Sequence, residues 1–238
     1  GVTSIIIPDS VTSIGYEAFR DCTGLMSVHV GRNVVQIDAR AFSGCFNLND
    51  VSLQDGIIVI SEDVFNETAL YNDESNWDDG CLYIGKYLIG VKRTVESVVI
   101  RDDTICMASD AFEGCYVLTR VTMGSVKPPE MKILTNLETL SFTELPDYPI
   151  HLNFDRDIFN IPLQIPITLK NVVLKKGCDI TRDDMFKYIT GVTIYVEDQK
   201  IATQWDHDYP GWNNGNKVYY GGEWINAVFL DDEGKVIS

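Results

Sequence analysis

The chain has 238 residues, enough for one large domain or two small ones. Its 45% apolar content is that of an ordinary folded protein, and it has no run of about 18 apolar residues that would cross a membrane as a helix. With 35 acidic side chains against 19 basic ones the formal charge is −16, which repels nucleic-acid phosphates and anionic lipid surfaces and keeps a chain soluble.

Phe19, Phe42 and Phe65 fall 23 residues apart. Ile14, Ile37 and Ile60 keep the same interval, as do Val11, Val34 and Ile57, and then Ile5, Val28 and Val51. One unit reads Leu25-x-x-Val28-x-Val30, a turn, Val34-x-x-Ile37, then Ala41-Phe42-x-x-Cys45. The L-x-x-L-x-L stretch is the strand of a leucine-rich repeat. Alternation there turns Val28 and Val30 to one face and Ser27 and His29 to the other. Ser10, Asn33 and Gly56 recur where the chain must leave the strand, and the Ala-Phe segment is expected to turn it back as one helical turn. No unit of this size buries its apolar face alone, so the copies must stack. The pattern predicts an α/β leucine-rich-repeat solenoid, horseshoe-like and β-dominated. A parallel sheet forms one face, and short strands and helical turns form the other.

The period then breaks. From Phe65 to Phe112 is 47 residues, two periods plus one, so the unit at 71–97 is remodelled rather than lost. Tyr71 to Gly80 reads as an acidic loop, and Leu82-Tyr83-Ile84-Gly85-Lys86-Tyr87-Leu88-Ile89 as a hairpin turning at Gly85. The repeat resumes at Val98, Ile100 and Met107, then Ala111-Phe112 and Cys115. Residues 124–168 are irregular. Prolines 162 and 166 bar Ile161–Ile167 from a central strand. Further strands are expected at Leu137-x-x-Leu140-x-Phe142, at Leu169-x-x-Val172-x-Leu174, and at Val192, Ile194 and Val196. The solenoid is thus placed at 1–196. Residues 197–238 crowd Trp205, Tyr209, Trp212, Tyr219, Tyr220 and Trp224, and end in a hairpin over 227–237. They read as an aromatic cap or as the start of a further module.

Ile5-Ile6-Ile7-Pro8-Asp9-Ser10-Val11-Thr12-Ser13-Ile14-Gly15-Tyr16-Glu17-Ala18-Phe19-Arg20-Asp21-Cys22 resembles the BspA-type leucine-rich repeat slot for slot. Ala41-Phe42-Ser43-Gly44-Cys45 and Ala111-Phe112-Glu113-Gly114-Cys115 repeat its closing motif, whereas the third copy has Val64-Phe65 and Thr68. The resemblance is close over 1–70 and 98–123, looser over 130–196, and is not claimed for 197–238. It implies a secreted or cell-surface bacterial protein, often host-associated, that adheres to host matrix or cell-surface proteins. It implies no catalytic residues. Gly1 lies in mid-pattern, so an export signal removed upstream is expected.

Six cysteines without a Cys-x-x-Cys pair argue against structural zinc. Cys22, Cys45 and Cys115 share one repeat slot and read as small buried hydrophobes; Cys81, Cys106 and Cys178 lie off it. His29, His151 and His207 stand in unrelated contexts, with no nucleophile motif or phosphate-binding loop nearby, so no enzyme and no cofactor are expected. Asp206-His207-Asp208 reads as an exposed polar loop. Asp73, Glu74, Asp78 and Asp79 lack EF-hand spacing and read as a solvated turn, so no metal is expected either.

Two surfaces remain for a partner. The outward strand face offers Ser27, His29, Asp50, Ser52, Val99, Arg120, Thr122 and Ser141 to a host or cell-surface protein. Trp205, Trp212 and Trp224 offer a stacking surface to a glycan, the alternative reading; a structural spacer is a third. No nucleic-acid partner and no membrane insertion are expected.

Overall fold

The computed structural model describes residues 1–126, 131, 134–144, 150–152, 163–165, 168–178, 186, 189–208, 210–211, 213–220, 229–230 and 236–237. The chain forms two compact units. The first is Gly1–Val98 with Asp103–Cys115 and Val126–Pro129; the second is Val99–Asp102 with Tyr116–Ser125 and Glu130–Ser238.

In the first unit the 23-residue repeat is also the hydrogen-bond register. Strands Ser4–Ile7, Ser27–Val30 and Asp50–Ser52 pair in parallel, with Ser4 opposite Ser27 opposite Asp50 and Ile6 opposite His29 opposite Ser52. A second, narrower ladder joins Ser13–Ile14, Gln36–Ile37 and Val59–Ile60. Ile14, Ile37 and Ile60 point inward from it and are buried.

The Ala-Phe segment, expected as a helical turn, closes as two tight turns. The φ angles at Glu17, Arg40 and Asp63 are 54°, 58° and 56°, and those at Asp21, Gly44 and Glu67 are 56°, 73° and 58°. Left-handed residues at two fixed slots break helical bonding and aim the amides at the next coil. Phe19 N donates to Ala41 O at 2.8 Å, Phe42 N to Val64 O at 3.0 Å and Gly44 N to Asn66 O at 3.0 Å. The phenylalanine rings stack above this third ladder, 5.2 Å apart between Phe19 and Phe42 and 5.6 Å between Phe42 and Phe65.

The cysteine slot also has a reason. Cys45 Sγ donates to Phe19 O and Cys115 Sγ to Val91 O, each thiol meeting a carbonyl of the preceding coil. All six cysteines are thiols; Cys22, in the first coil of the chain, is exposed and the other five are buried. Thr68, in the cysteine slot of the third coil, instead starts a helix. Its hydroxyl donates to Phe65 O and accepts from Tyr71 N, capping the four-residue helix Ala69–Asn72.

The remodelled unit begins with that helix, so the acidic loop expected there is a helix, a single 3₁₀ turn at Glu74–Asn76 and a short strand at Trp77–Asp78. The hairpin is present as expected: Cys81–Ile84 pairs antiparallel with Tyr87–Val91, and Gly85 has a φ of 59° in the two-residue turn. Tyr87 and Leu88 then pair in parallel with Cys106 and Met107, returning the chain to the repeat.

In the second unit Arg120–Met123, Thr139–Phe142, Asn171–Leu174, Thr193–Val196 and Lys217–Tyr220 form consecutive parallel strands. The expected strands at Leu140, Val172 and Ile194 are all in this sheet. Leu163–Ile165 pairs with Ile150–Leu152 in a sheet of two strands, consistent with its flanking prolines. The parallel sheet continues beyond 196. Helix Gln199–Asp208 buries Ala202 and Trp205, one turn apart, and leads to the strand Lys217–Tyr220, where Tyr219 stacks on Tyr195 at 5.5 Å. Part of the segment expected as a cap is therefore one more strand–helix–strand coil. The buried amide of Asn216 ties it down, donating to Ile189 O and accepting from Val192 N. The expected terminal hairpin is present as Phe229–Leu230 antiparallel to Val236–Ile237.

Among the described residues no helix is long and apolar enough to cross a membrane. The architecture is a leucine-rich-repeat solenoid, mostly strand, built on parallel ladders.

Candidate functional site

Alternation on the first unit's strands exposes two columns, Ser4–Ser27–Asp50 and Ile6–His29–Ser52. Ser27 Oγ donates to Ser4 Oγ at 2.8 Å, and Ile6 stands 73% exposed beside His29. Ser27 and Ser52 are half-buried, and His29 and Asp50 are exposed. In the second unit Arg120 is exposed, Thr122 half-buried and Val99 67% exposed. Ser141, expected on the same face, is only 7% exposed. Its small side chain lies on an interior strand between Thr122 and Val173, and Val173 and Tyr195 further along that row are buried too. It is not available to a partner.

The glycan surface fares similarly. Trp205 is 2% exposed because it is the apolar anchor of its helix. Trp212 and Trp224 lie outside the described residues. The acidic turn does not gather its carboxylates. Asp73 accepts from the amide and hydroxyl of Ser75, which hold its carboxyl below the ordinary value, and Glu74 pairs with Lys92. His207 Nδ1 lies 2.7 Å from Asp208 at an exposed helix end.

Where the period breaks, the first unit opens a cleft of about 460 Å³ that the sequence did not announce. One wall is the third coil, with Asp63, Val64, Phe65 and Asn66; the opposite wall carries Ala108, Asp110, Ala111 and Glu113. Tyr71, Trp77, Lys92 and Arg93 of the remodelled unit line the rest. Trp77 meets Tyr71 edge to face at 5.3 Å and donates from Nε1 to the Tyr71 carbonyl, while the Lys92 ammonium sits 5.7 Å over the Trp77 ring.

Asp63, Asp110 and Glu113 bring a carboxylate oxygen each within 4.8 Å of the others. Asp110 Oδ2 accepts from the Asp63 amide at 2.7 Å, and Asp63 Oδ2 accepts from Arg40 Nε at 3.4 Å. Burial pushes the Asp110 carboxyl up to about 6, against its bonds from the Asp63 and Asp110 amides, and the neighbouring acids add to the rise. Two of the three carboxylates thus already serve protein donors, and the trio is a structural cluster before it is a ligand set. Sequence spacing held one clue to it: Asp63 and Asp110 stand 47 residues apart, the interval that separates Phe65 from Phe112.

The BspA type leucine rich repeat region matches in six copies over residues 1–119. No curated protein matches the chain. Among solved structures, a leucine-rich repeat protein from Bacteroides ovatus is similar at 14% identity, with 92% of each chain covered and a TM-score of 0.33. The pneumococcal vaccine antigen PcpA is 14% identical, over 92% of this chain and 79% of its own, with a TM-score of 0.29. A leucine rich cell surface protein from Faecalibacterium prausnitzii is 19% identical, over 93% and 80%, also at 0.29. These overlaps are loose, and the fold rests on the ladders themselves. Six matched copies span 119 of the 238 residues and coincide with the coils whose register follows the same repeat, so the chain belongs to the BspA-type leucine-rich-repeat family.

Proposed function

We propose that the chain is a non-catalytic binding protein, secreted or held at the bacterial cell surface, that recognises a host or cell-surface protein through the outward face of its strands. One observation carries the reading: the columns Ser4–Ser27–Asp50 and Ile6–His29–Ser52 run in register across successive coils and face solvent. An exposed isoleucine in a row of polar side chains has the make-up of an interface anchor with a polar rim. The second unit has an outward strand face of its own, with Val99 and Arg120 exposed and Thr122 half-buried. Membership of a family of surface and secreted repeat proteins supports the location.

The test is binding of the whole chain to immobilised, purified matrix and cell-surface proteins. The double variant Ile6→Lys, Asp50→Lys should lose at least about tenfold in affinity for whichever protein binds, with its melting unchanged. Equal binding by parent and variant would remove the strand face from consideration.

A further inference from the structure

In the regular coils the amides of Arg40, Phe42 and Gly44 are given to the carbonyls of Glu62, Val64 and Asn66. One coil on, the same slots are Asp63, Phe65 and Glu67, and the hand-over fails. Asp63 N turns to the Asp110 carboxylate. The Ala111 carbonyl, which the period assigns to Phe65, accepts from Val91 N at 2.8 Å, and the Glu113 carbonyl, which it assigns to Glu67, accepts from Arg93 Nε at 3.2 Å. Among the described residues neither the Phe65 nor the Glu67 amide has an acceptor, although Phe65 is 1% exposed and lines the cleft. A buried main-chain donor such as that of Phe65 is costly to leave unmade; Glu67 is exposed at the cleft's edge, and the two amides at alternate residues match the carbonyl spacing along an extended chain.

The opposite wall adds a charge preference. The cleft's acids are Asp63, Glu74, Asp110 and Glu113, and its bases are Lys92 and Arg93. Glu74 and Lys92 neutralise each other, and Arg93 is folded over Gly114 towards the Glu113 carbonyl. Asp63 is shared with Arg40, which leaves Asp110 and the exposed Glu113 as the cleft's acids without a basic partner among the described residues, in a chain of charge −16 that attracts cationic partners. The volume falls within the roughly 300–1,000 Å³ typical of ligand sites.

We propose that this cleft docks an extended, basic segment of a partner protein. Its main chain accepts from the Phe65 and Glu67 amides, and a Lys or Arg side chain lies between Asp110 and Glu113. The mode is strand addition to an open edge, with side-chain charge supplying the selectivity. It does not depend on the outward strand face.

The experiment uses the full chain labelled with ¹⁵N and three blocked tripeptides: Val-Lys-Val, Val-Gln-Val and Val-Glu-Val. Val-Lys-Val should shift the Phe65 and Glu67 amide resonances saturably. Val-Gln-Val should bind about tenfold more weakly, and Val-Glu-Val should not bind. Asp110→Asn retains an oxygen for the Asp63 amide and should erase the preference for lysine over glutamine; Glu113→Gln, at an exposed position, does the same job if Asp110→Asn does not fold. No shift at Phe65 and Glu67 with millimolar Val-Lys-Val would overturn the proposal. So would equal binding of the lysine and glutamine peptides, or the same saturable shifts with calcium chloride alone, which would mark an inorganic cation site.

Discussion

The Phe42 ring lies between two parallel neighbours, tilted by 4° from Phe19 and 2° from Phe65, and is wholly buried. Phe42→Ala removes both stacks and leaves a void that the rigid ladders on either side cannot close. It should cost roughly 3–5 kcal/mol in urea unfolding, and a variant as stable as the parent would refute the stacked column. Gly31 is constrained differently. A Cβ there would lie 2.7 Å from the Ile7 carbonyl oxygen, because adjacent coils approach through their backbones at this turn. Gly31→Ala should therefore destabilise by about 1–3 kcal/mol in the same assay. Asp110 gives the fold a pH dependence of definite sign. Its folded value of about 6 exceeds the ordinary value, so the native state holds this proton more tightly than the unfolded chain does. Its contribution to stability must rise as the pH falls from above 6 towards about 4. Between pH 8 and pH 4 the melting temperature of the parent should climb relative to that of Asp110→Asn; parallel curves would show that the carboxyl is not desolvated.

At the scale of elements, the remodelled unit is fastened by one phenol. Tyr87 Oη donates to the Gln54 carbonyl at 2.8 Å and accepts from the amides of Gly56 and Ile57 at 3.1 Å each. A side chain thus takes up the bond that the equivalent turn of a regular coil makes within itself, as Val34 N does to Gly31 O. Tyr87→Phe leaves the buried Ile57 amide without this partner, at about 1–3 kcal/mol, while the exposed Gly56 can turn to water. Hydrogen exchange should accelerate at Gly56 and Ile57 specifically. The regular coils were legible in the sequence because one interval fixes strand pairing, ring stacking and cysteine placement together, as Phe19, Phe42 and Phe65 show. The hairpin at Gly85 was legible from its turn. The cleft was not, because it arises where a coil is shortened. Leu88 pairs with Met107 as Ile14 pairs with Ile37, but Val91 takes the phenylalanine's amide bond only three residues later, where Phe19 comes five residues after Ile14. Periodicity reports what repeats, and a bond handed from Phe65 to Val91 does not. Helix Gln199–Asp208 was hidden for a related reason: its apolar stripe is little more than Ala202 and Trp205, too short for a period to register.

Over the whole molecule, a charge of −16 opposes compaction, and exposed pairs such as Arg32 with Asp9 and Lys86 with Asp55 offset little of it. Raising the salt from about 10 mM to about 150 mM shortens the screening length from roughly 30 Å to 8 Å, so the melting temperature should increase with sodium chloride; a decrease would mean that the ion pairs outweigh the repulsion. The thiols offer a way to follow such loosening by position. Burial pushes Cys115 up to about 11 and Cys178 up to about 12, and raises Cys45 and Cys106, so none of these sulfurs is a ready nucleophile while its coil stays closed. Cys22 is exposed and should be alkylated at once. The others form a set of internal clocks, each starting when its own stretch of stack opens. Mass spectrometry of alkylated fragments, sampled over time, would therefore give the order in which this solenoid unzips.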